Sequence, residues 1–324
     1  MKKSTLIFCL LLAVTLSNVM PGSLFAQEKV FKFPFSNFDR WIVRDLKESG
    51  IIGGNEKRIY AIGATDTVAG NNPLIPAADA VWGTSNVYAK VMGVVKGSCS
   101  VFPEERGNGY CVRMETVLEH VKAMGMFNIR VIATGSLFLG HIVEPVSDTK
   151  DPMAKLMQGM PYTGHPKALR FDYKVKTGGA RQKASGMGKP TDLDGKNAAE
   201  VSLLLQKRWE DKDGNVYAKR IGTAFYRFEK NQNEWVNGFS LPINYGDITQ
   251  KTDFVPSMDL IQGDDSNHCL NSNGKAARIN EIEWGDANDT PTHIVLRFSS
   301  GNGGAYIGAV GDILWIDNVV LVEQ

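Results

Sequence analysis

From Leu169 to Lys176 the chain alternates without a break, with Leu, Phe, Tyr and Val at the odd positions and Arg, Asp, Lys and Lys at the even ones. Successive side chains leave a strand on opposite faces, so this run has one apolar face and one wet face. A helix over the same residues would scatter the four apolar groups around its circumference. Val112–Thr116 and Ile294–Phe298 repeat the rule, Leu314–Val322 follows it more loosely, and Ala199–Gln206 and Thr223–Phe228 also read as strands. Turn chemistry separates them: Asp211-Lys212-Asp213-Gly214-Asn215 and Asp192-Leu193-Asp194-Gly195 predict hairpin turns, and Ser300–Gly304 a loop. Many short strands without a strand–helix–strand rhythm predict an all-β, mostly antiparallel fold, a sandwich or barrel. A few short helices are expected, at Arg40–Ser49, Thr116–Met124 and Met153–Met157. The Gly-, Lys- and Ser-rich stretch Thr177–Lys189 predicts a mobile loop, and residues 62–80 a long connection.

The N-terminus has a separate logic. Lys2 and Lys3 precede an apolar run from Leu6 to Leu16, then a polar break and the sequence Ser23-Leu24-Phe25-Ala26-Gln27. This is the pattern of a secretory signal peptide over residues 1–26, cleaved after Ala26. The run is shorter than the roughly 20 apolar residues a membrane span needs. Cys9 lies inside the run rather than after it, which excludes a lipoprotein anchor. The expectation is an exported protein without a transmembrane span, in the periplasm or at the outer membrane or cell surface. Residues 27–75 would supply N-terminal strands and a connection within the same sandwich, and 76–324 the main domain.

Charge and cysteine content narrow the function. Removing Lys2 and Lys3 leaves 34 cationic residues against 35 anionic ones. That balance argues against a nucleic-acid binder or a protein steered to anionic membranes. Cys99 and Cys111 flank the turn-rich segment Phe102–Gly109, so a disulfide between them is one candidate pairing, which would leave Cys269 free. No Cys/His cluster has zinc spacing. Gly97-Ser98 and Gly135-Ser136 lack the Gly-x-Ser-x-Gly pattern of a serine hydrolase. Acid pairs such as Glu104-Glu105 and Asp264-Asp265 occur, with Glu115, Glu119, Glu281 and Glu283 elsewhere, but none is marked as the carboxylate pair of a glycoside hydrolase.

An ordered set of segments carries a resemblance. Trp82-Gly-Thr-Ser-Asn86, Val112-Arg-Met-Glu-Thr116, Ile132–Gly140, Gly159–Leu169, Pro242-Ile-Asn-Tyr245 and Ser299–Val319 resemble, in order and spacing, the putative carbohydrate metabolism domain (PCMD) family of envelope proteins. Asn37-Phe-Asp-Arg-Trp41 and Trp315-Ile-Asp-Asn-Val319 are similar to the first and last strands of jelly-roll carbohydrate-binding modules. The resemblance implies a jelly-roll β-sandwich, a polysaccharide or oligosaccharide as partner, and a place beside outer-membrane glycan-uptake proteins. It implies no catalytic residues.

Sugar modules stack pyranose rings on exposed aromatic faces. Tyr162, Trp235, Tyr245 and Tyr306 lie in or beside Gly-, Asn- and Asp-rich loops and are the stacking candidates, whereas Trp41, Trp82 and Trp315 are expected as core anchors. No organic cofactor is implied. Jelly-roll modules often hold a structural calcium through a strand-end carboxylate, which makes Asp317, with Asp39, a metal candidate. The expected function is non-catalytic glycan capture at the envelope, with a structural role in an outer-membrane complex or a polysaccharide hydrolase or lyase as alternatives.

Overall fold

A computed structural model describes residues 28–123, 127–147 and 151–324. The expected leader over residues 1–26, and Met124, lie outside these. Two sheets pack face to face. The front sheet has six strands. Its order is Gln232–Pro242, Ala168–Lys176, Ile313–Val322, Gly109–Glu115 and Val101–Arg106, with Val30–Lys32 also pairing to Ile313–Val322. Every pairing in it is antiparallel. The ten-stranded rear sheet is built on the long hairpin Ala199–Glu210/Val216–Phe228, joined by His293–Ser299 on one side and Ala276–Trp284 on the other. Its pairing with Ala276–Trp284 is parallel. The fold is an all-β, mostly antiparallel sandwich of the jelly-roll kind.

The alternation seen in the sequence sets the faces. Leu169, Phe171, Tyr173 and Val175 point into the core with Leu314, Ile316, Val112 and Met114, while Val201, Leu203, Leu205, Leu296 and Phe298 meet them from the rear sheet. Phe171 and Phe298 touch edge to face across the gap, their centroids 5.1 Å apart. Each large apolar side chain sealed here contributes roughly 1.5–3 kcal/mol. Phe33, Phe38, Trp41 and Ile62 belong to the same core, so the N-terminal strands close one end of the sandwich.

The helix expectations are corrected. Trp41–Lys47 is a strand held between Glu56–Ile62 and Asp66–Ala69, and Val117–Ala123 is a strand paired along its length with Phe127–Ala133. Both segments contain apolar residues spaced to suit either period, and pairing on a neighbour decides the outcome. At the third site a single 3₁₀ turn covers Pro152–Lys155, and among the described residues the other helical pieces are also 3₁₀ turns. The stretch Thr177–Lys189 carries two short strands, Ala180–Lys183 and Ser185–Met187, and the long connection carries Asp66–Ala69. The Asp211–Asn215 turn joins the long rear hairpin as expected. Asp192–Gly195 instead lies within the strand Thr191–Lys196, whose register shifts against Ala180–Lys183.

Cys99 and Cys111 are separate, buried thiols. In the hairpin Val101–Arg106/Gly109–Glu115, Cys111 opposes Glu104, five positions along from Cys99. Cys99 precedes the first strand residue, Val101, which itself pairs with Met114, so the register does not set the two cysteines opposite each other. No helix among the described residues is long and apolar enough to cross a membrane.

Candidate functional site

The outward face of the front sheet gathers the chemistry. Because Leu314 and Ile316 point inward, Trp315 between them points out, as do Lys174 between Tyr173 and Val175 and Arg113 between Val112 and Met114. Trp235, on the edge strand, completes the row. The Lys174 ammonium lies 4.2 Å from the centre of the Trp315 ring and 5.7 Å from that of Trp235. The guanidinium of Arg106 covers Trp235 at 3.8 Å, and that of Arg113 covers Phe102 at 4.3 Å. Glu104 ties the row together: Oε1 accepts the Trp315 indole N–H at 2.8 Å, and Oε2 pairs with Arg113 at 3.2 Å. All three indoles or phenyls on this face remain partly exposed.

Beside Trp235 lies a charged knot. Asp172 and Asp317 face each other directly across adjacent strands, an arrangement that is repulsive on its own. Arg106 reaches over from the far edge of the sheet and resolves it, its Nη1 donating to Asp317 at 2.5 Å and to Asp172 at 2.9 Å, its Nη2 to Asn237 at 2.6 Å. Asn318, in the left-handed region at φ 51°, donates its side-chain amide to Asp172 and its backbone N–H to Asp317. Gly238 N donates to the other oxygen of Asp172 at 2.7 Å. Burial raises the Asp317 carboxyl above the usual range, against the opposing pull of Arg106. For Arg106 burial works downward, and the two aspartates together outweigh it, so its proton is held more tightly than usual. Cys111, on the same face, is pushed up to about 12 by burial and the nearby acids Glu104 and Asp317. It is an inert thiol.

The sequence candidates distribute unevenly. Trp235 and Asp317 lie together on this face. Tyr162 is a core residue, 7% exposed, packed edge to face against Phe31. Tyr245 stacks on His165 at 3.9 Å and spends its hydroxyl on the Pro166 carbonyl. Tyr306 is half-buried in a left-handed turn at φ 67°, its carbonyl accepting from Ala184 N. Asp39 pins the turn at the end of the front hairpin, accepting from Tyr110 N at 3.0 Å and from Asn37 at 2.5 Å. Asp317 and Asp39 therefore do not fit a calcium site: each carboxylate is spent on protein donors. Among the described residues no group of three or more His, Cys, Asp or Glu is placed to hold a metal ion. Trp315, expected as a core anchor, is instead part of the open row. Its parity with Leu314 and Ile316 is the signal that could have revealed it.

Comparison with solved structures finds distant similarity. A protein described as a putative glycoside hydrolase from Bacteroides thetaiotaomicron VPI-5482 is 17% identical, with a TM-score of 0.43 over 83% of this chain and 75% of its own. Another so described, from Bacteroides vulgatus ATCC 8482, is also 17% identical, with a TM-score of 0.45 over 82% and 92%. A carbohydrate-binding module specific for non-crystalline cellulose, CBM28, is 12% identical, with a TM-score of 0.27 over 75% and 88%. Comparison with curated proteins gives no match. The family profile described as putative carbohydrate metabolism domain matches residues 61–322, most of the chain. The chain therefore belongs to the PCMD family, as the ordered segments of its sequence indicated.

Proposed function

We infer that the protein is a non-catalytic glycan-binding protein of the bacterial cell envelope, exported by its leader and working beside outer-membrane glycan-uptake proteins. The observation that carries this reading is the row Trp235–Lys174–Trp315 on the outward face of the front sheet. Two partly exposed indoles offer apolar surface to sugar rings, and the ammonium between them, with Arg106, Asn237 and Glu104, offers donors and acceptors to hydroxyls. The sandwich behind holds these groups in place, so little ordering entropy remains to oppose binding. Isothermal titration of the mature protein against soluble xyloglucan, galactomannan, arabinogalactan and polygalacturonate tests it. At least one glycan is expected to bind, and Trp235→Ala to weaken that binding at least tenfold with the melting temperature kept. Silence across the panel, or binding indifferent to both Trp235→Ala and Trp315→Ala, overturns it.

The hydrolase alternative has one observation in its favour, the facing carboxylates Asp172 and Asp317. Hydrolysis needs one free acid and one free base or nucleophile at the scissile bond, and here Arg106, Asn318 and Gly238 N occupy the pair. Prolonged incubation with the bound polysaccharide is expected to release no reducing ends. Release that Asp317→Asn abolishes would reverse the assignment.

A further inference from the structure

The long rear hairpin overhangs the sandwich. Along Ala199–Glu210 the residues Leu203 and Leu205 face the core, and two and four positions on, the same face carries Lys207 and Trp209 beyond the reach of the front sheet. Tyr217 lies opposite Trp209 in the pairing, and Lys219 opposite Lys207. The two rings lie within 26° of parallel with centroids 5.9 Å apart, an offset arrangement that presents a stepped apolar surface. Trp209 is 39% exposed, and its indole N–H has no acceptor within the described protein.

The surroundings are built rather than loose. Asp211 Oδ1 accepts from Asp213 N and Asn215 N, both at 2.9 Å, and Oδ2 from the Asn215 amide and, at 3.4 Å, from the Tyr217 hydroxyl. Asn271 binds the Gly214 carbonyl, and Glu210 receives both Ser272 N and Ser272 Oγ. Next to the rings, Lys207 pairs with Asp289 at 3.1 Å and Lys219 with Glu283 at 2.7 Å, so neither lysine presents an unpaired charge. The indole exposes on the order of 100 Å², far below the roughly 800 Å² per side of a stable protein interface. A rigid, amphipathic surface the size of one or two pyranose rings, rimmed by hydroxyl, amide and carboxylate groups, matches a saccharide.

We propose that Trp209 and Tyr217 form a second saccharide contact, so that the chain grips a polysaccharide at two places. The proposal rests on the glycan-binding reading given above. Two linked weak contacts on one polymer multiply through effective concentration. Trp209→Ala is then expected to lower the affinity for a long polysaccharide about tenfold and leave binding of a short oligosaccharide at the front face unchanged. Trp235→Ala is expected to weaken the front-face signal at least tenfold and leave a weak second one, seen as quenching of Trp209 fluorescence. The double variant is expected to bind nothing. Tyr217→Phe, which keeps the ring, separates loss of stacking from loss of fold, and thermal melts confirm folding of each variant. If Trp235→Ala weakens binding while Trp209→Ala and Tyr217→Ala leave polymer affinity and stoichiometry unchanged, the second contact is wrong and the front-face reading survives. Should Trp209→Ala abolish binding that Trp235→Ala leaves untouched, the front-face reading falls and the hairpin is the glycan site. A wild-type chain that binds no glycan overturns both.

Discussion

Two arginine–carboxylate clusters in this molecule use the same chemistry to opposite ends. On the front face, Arg106 meets Asp172 and Asp317 with 19% of its side chain still open to solvent. Behind the rear sheet, Arg220 and Glu281 meet with side-chain exposures of 0% and 1%. Glu281 also accepts from Gln206 at 2.5 Å and from Ile261 N at 2.8 Å, and Arg220 donates to the carbonyls of Met258 and Asp259. The sealed cluster clamps the Met258–Ile261 segment onto the sheet and offers nothing outward. The open cluster holds a surface in shape, with Arg106 laid on the neighbouring Trp235 ring, which stays partly exposed. An ion pair is thus a sealed fastener or part of an exposed surface according to what covers it.

Removing a partner from the sealed pair should separate the two most sharply. Glu281→Gln strands a buried guanidinium and is expected to cost about 3–5 kcal/mol, roughly 10 °C in melting temperature for a chain of this size. Glycan affinity measured well below that temperature should not change. A stability loss under 1 kcal/mol would mean that water reaches Arg220. Trp235→Ala should show the reverse pattern: about 2 kcal/mol in binding with a denaturant midpoint close to wild type.

The rear region should also be the acid-sensitive one. Burial, helped by Arg208, lowers the half-buried His293 from 6.5 to about 4, and burial also lowers His268 and His141. A depressed folded-state value means that the unfolded chain takes up the proton first. The stabilisation is therefore complete above pH 6.5 and is lost as pH falls through about 4. After allowing for solvent screening, His293 alone accounts for roughly 1–2 kcal/mol, and His293→Gln should flatten the urea-midpoint profile between those limits. The smallest effect is expected from Asp317→Asn. It removes one of two opposed charges and leaves Arg106 its bond to Asp172, so stability should move by less than about 1 kcal/mol. A larger loss would show that the front knot is as much a fastener as the rear one.

Much of the sandwich was legible because alternation is a local code: Leu169–Lys176 states both its fold and its faces. The same code contained more of the site than was drawn from it, since Lys174, Arg113 and Trp315 each alternate with buried neighbours. What no local pattern carries is the reach of Arg106 to Asp317 across the sheet. Nor does it carry the environment that turns Tyr162 and Tyr245 inward. Loop composition placed those tyrosines near turns, but the Phe31 ring and the Pro166 carbonyl that absorb them come from distant segments. The strand Val117–Ala123 is ambiguous in sequence for a related reason, its apolar spacing being readable either way until Phe127–Ala133 lies beside it.

The strand Ile313–Val322 occupies the middle of the front sheet, between Ala168–Lys176 and Gly109–Glu115, and also receives Val30–Lys32. The ribosome delivers it after every other strand of the fold. Until it arrives, three segments lack a shared neighbour and the apolar inner layer has no lid, so closure is a late, long-range event of the slow kind. Until Ile313–Val322 is in place, Ala168–Lys176 and Gly109–Glu115 therefore have no partner on the sides where they face each other.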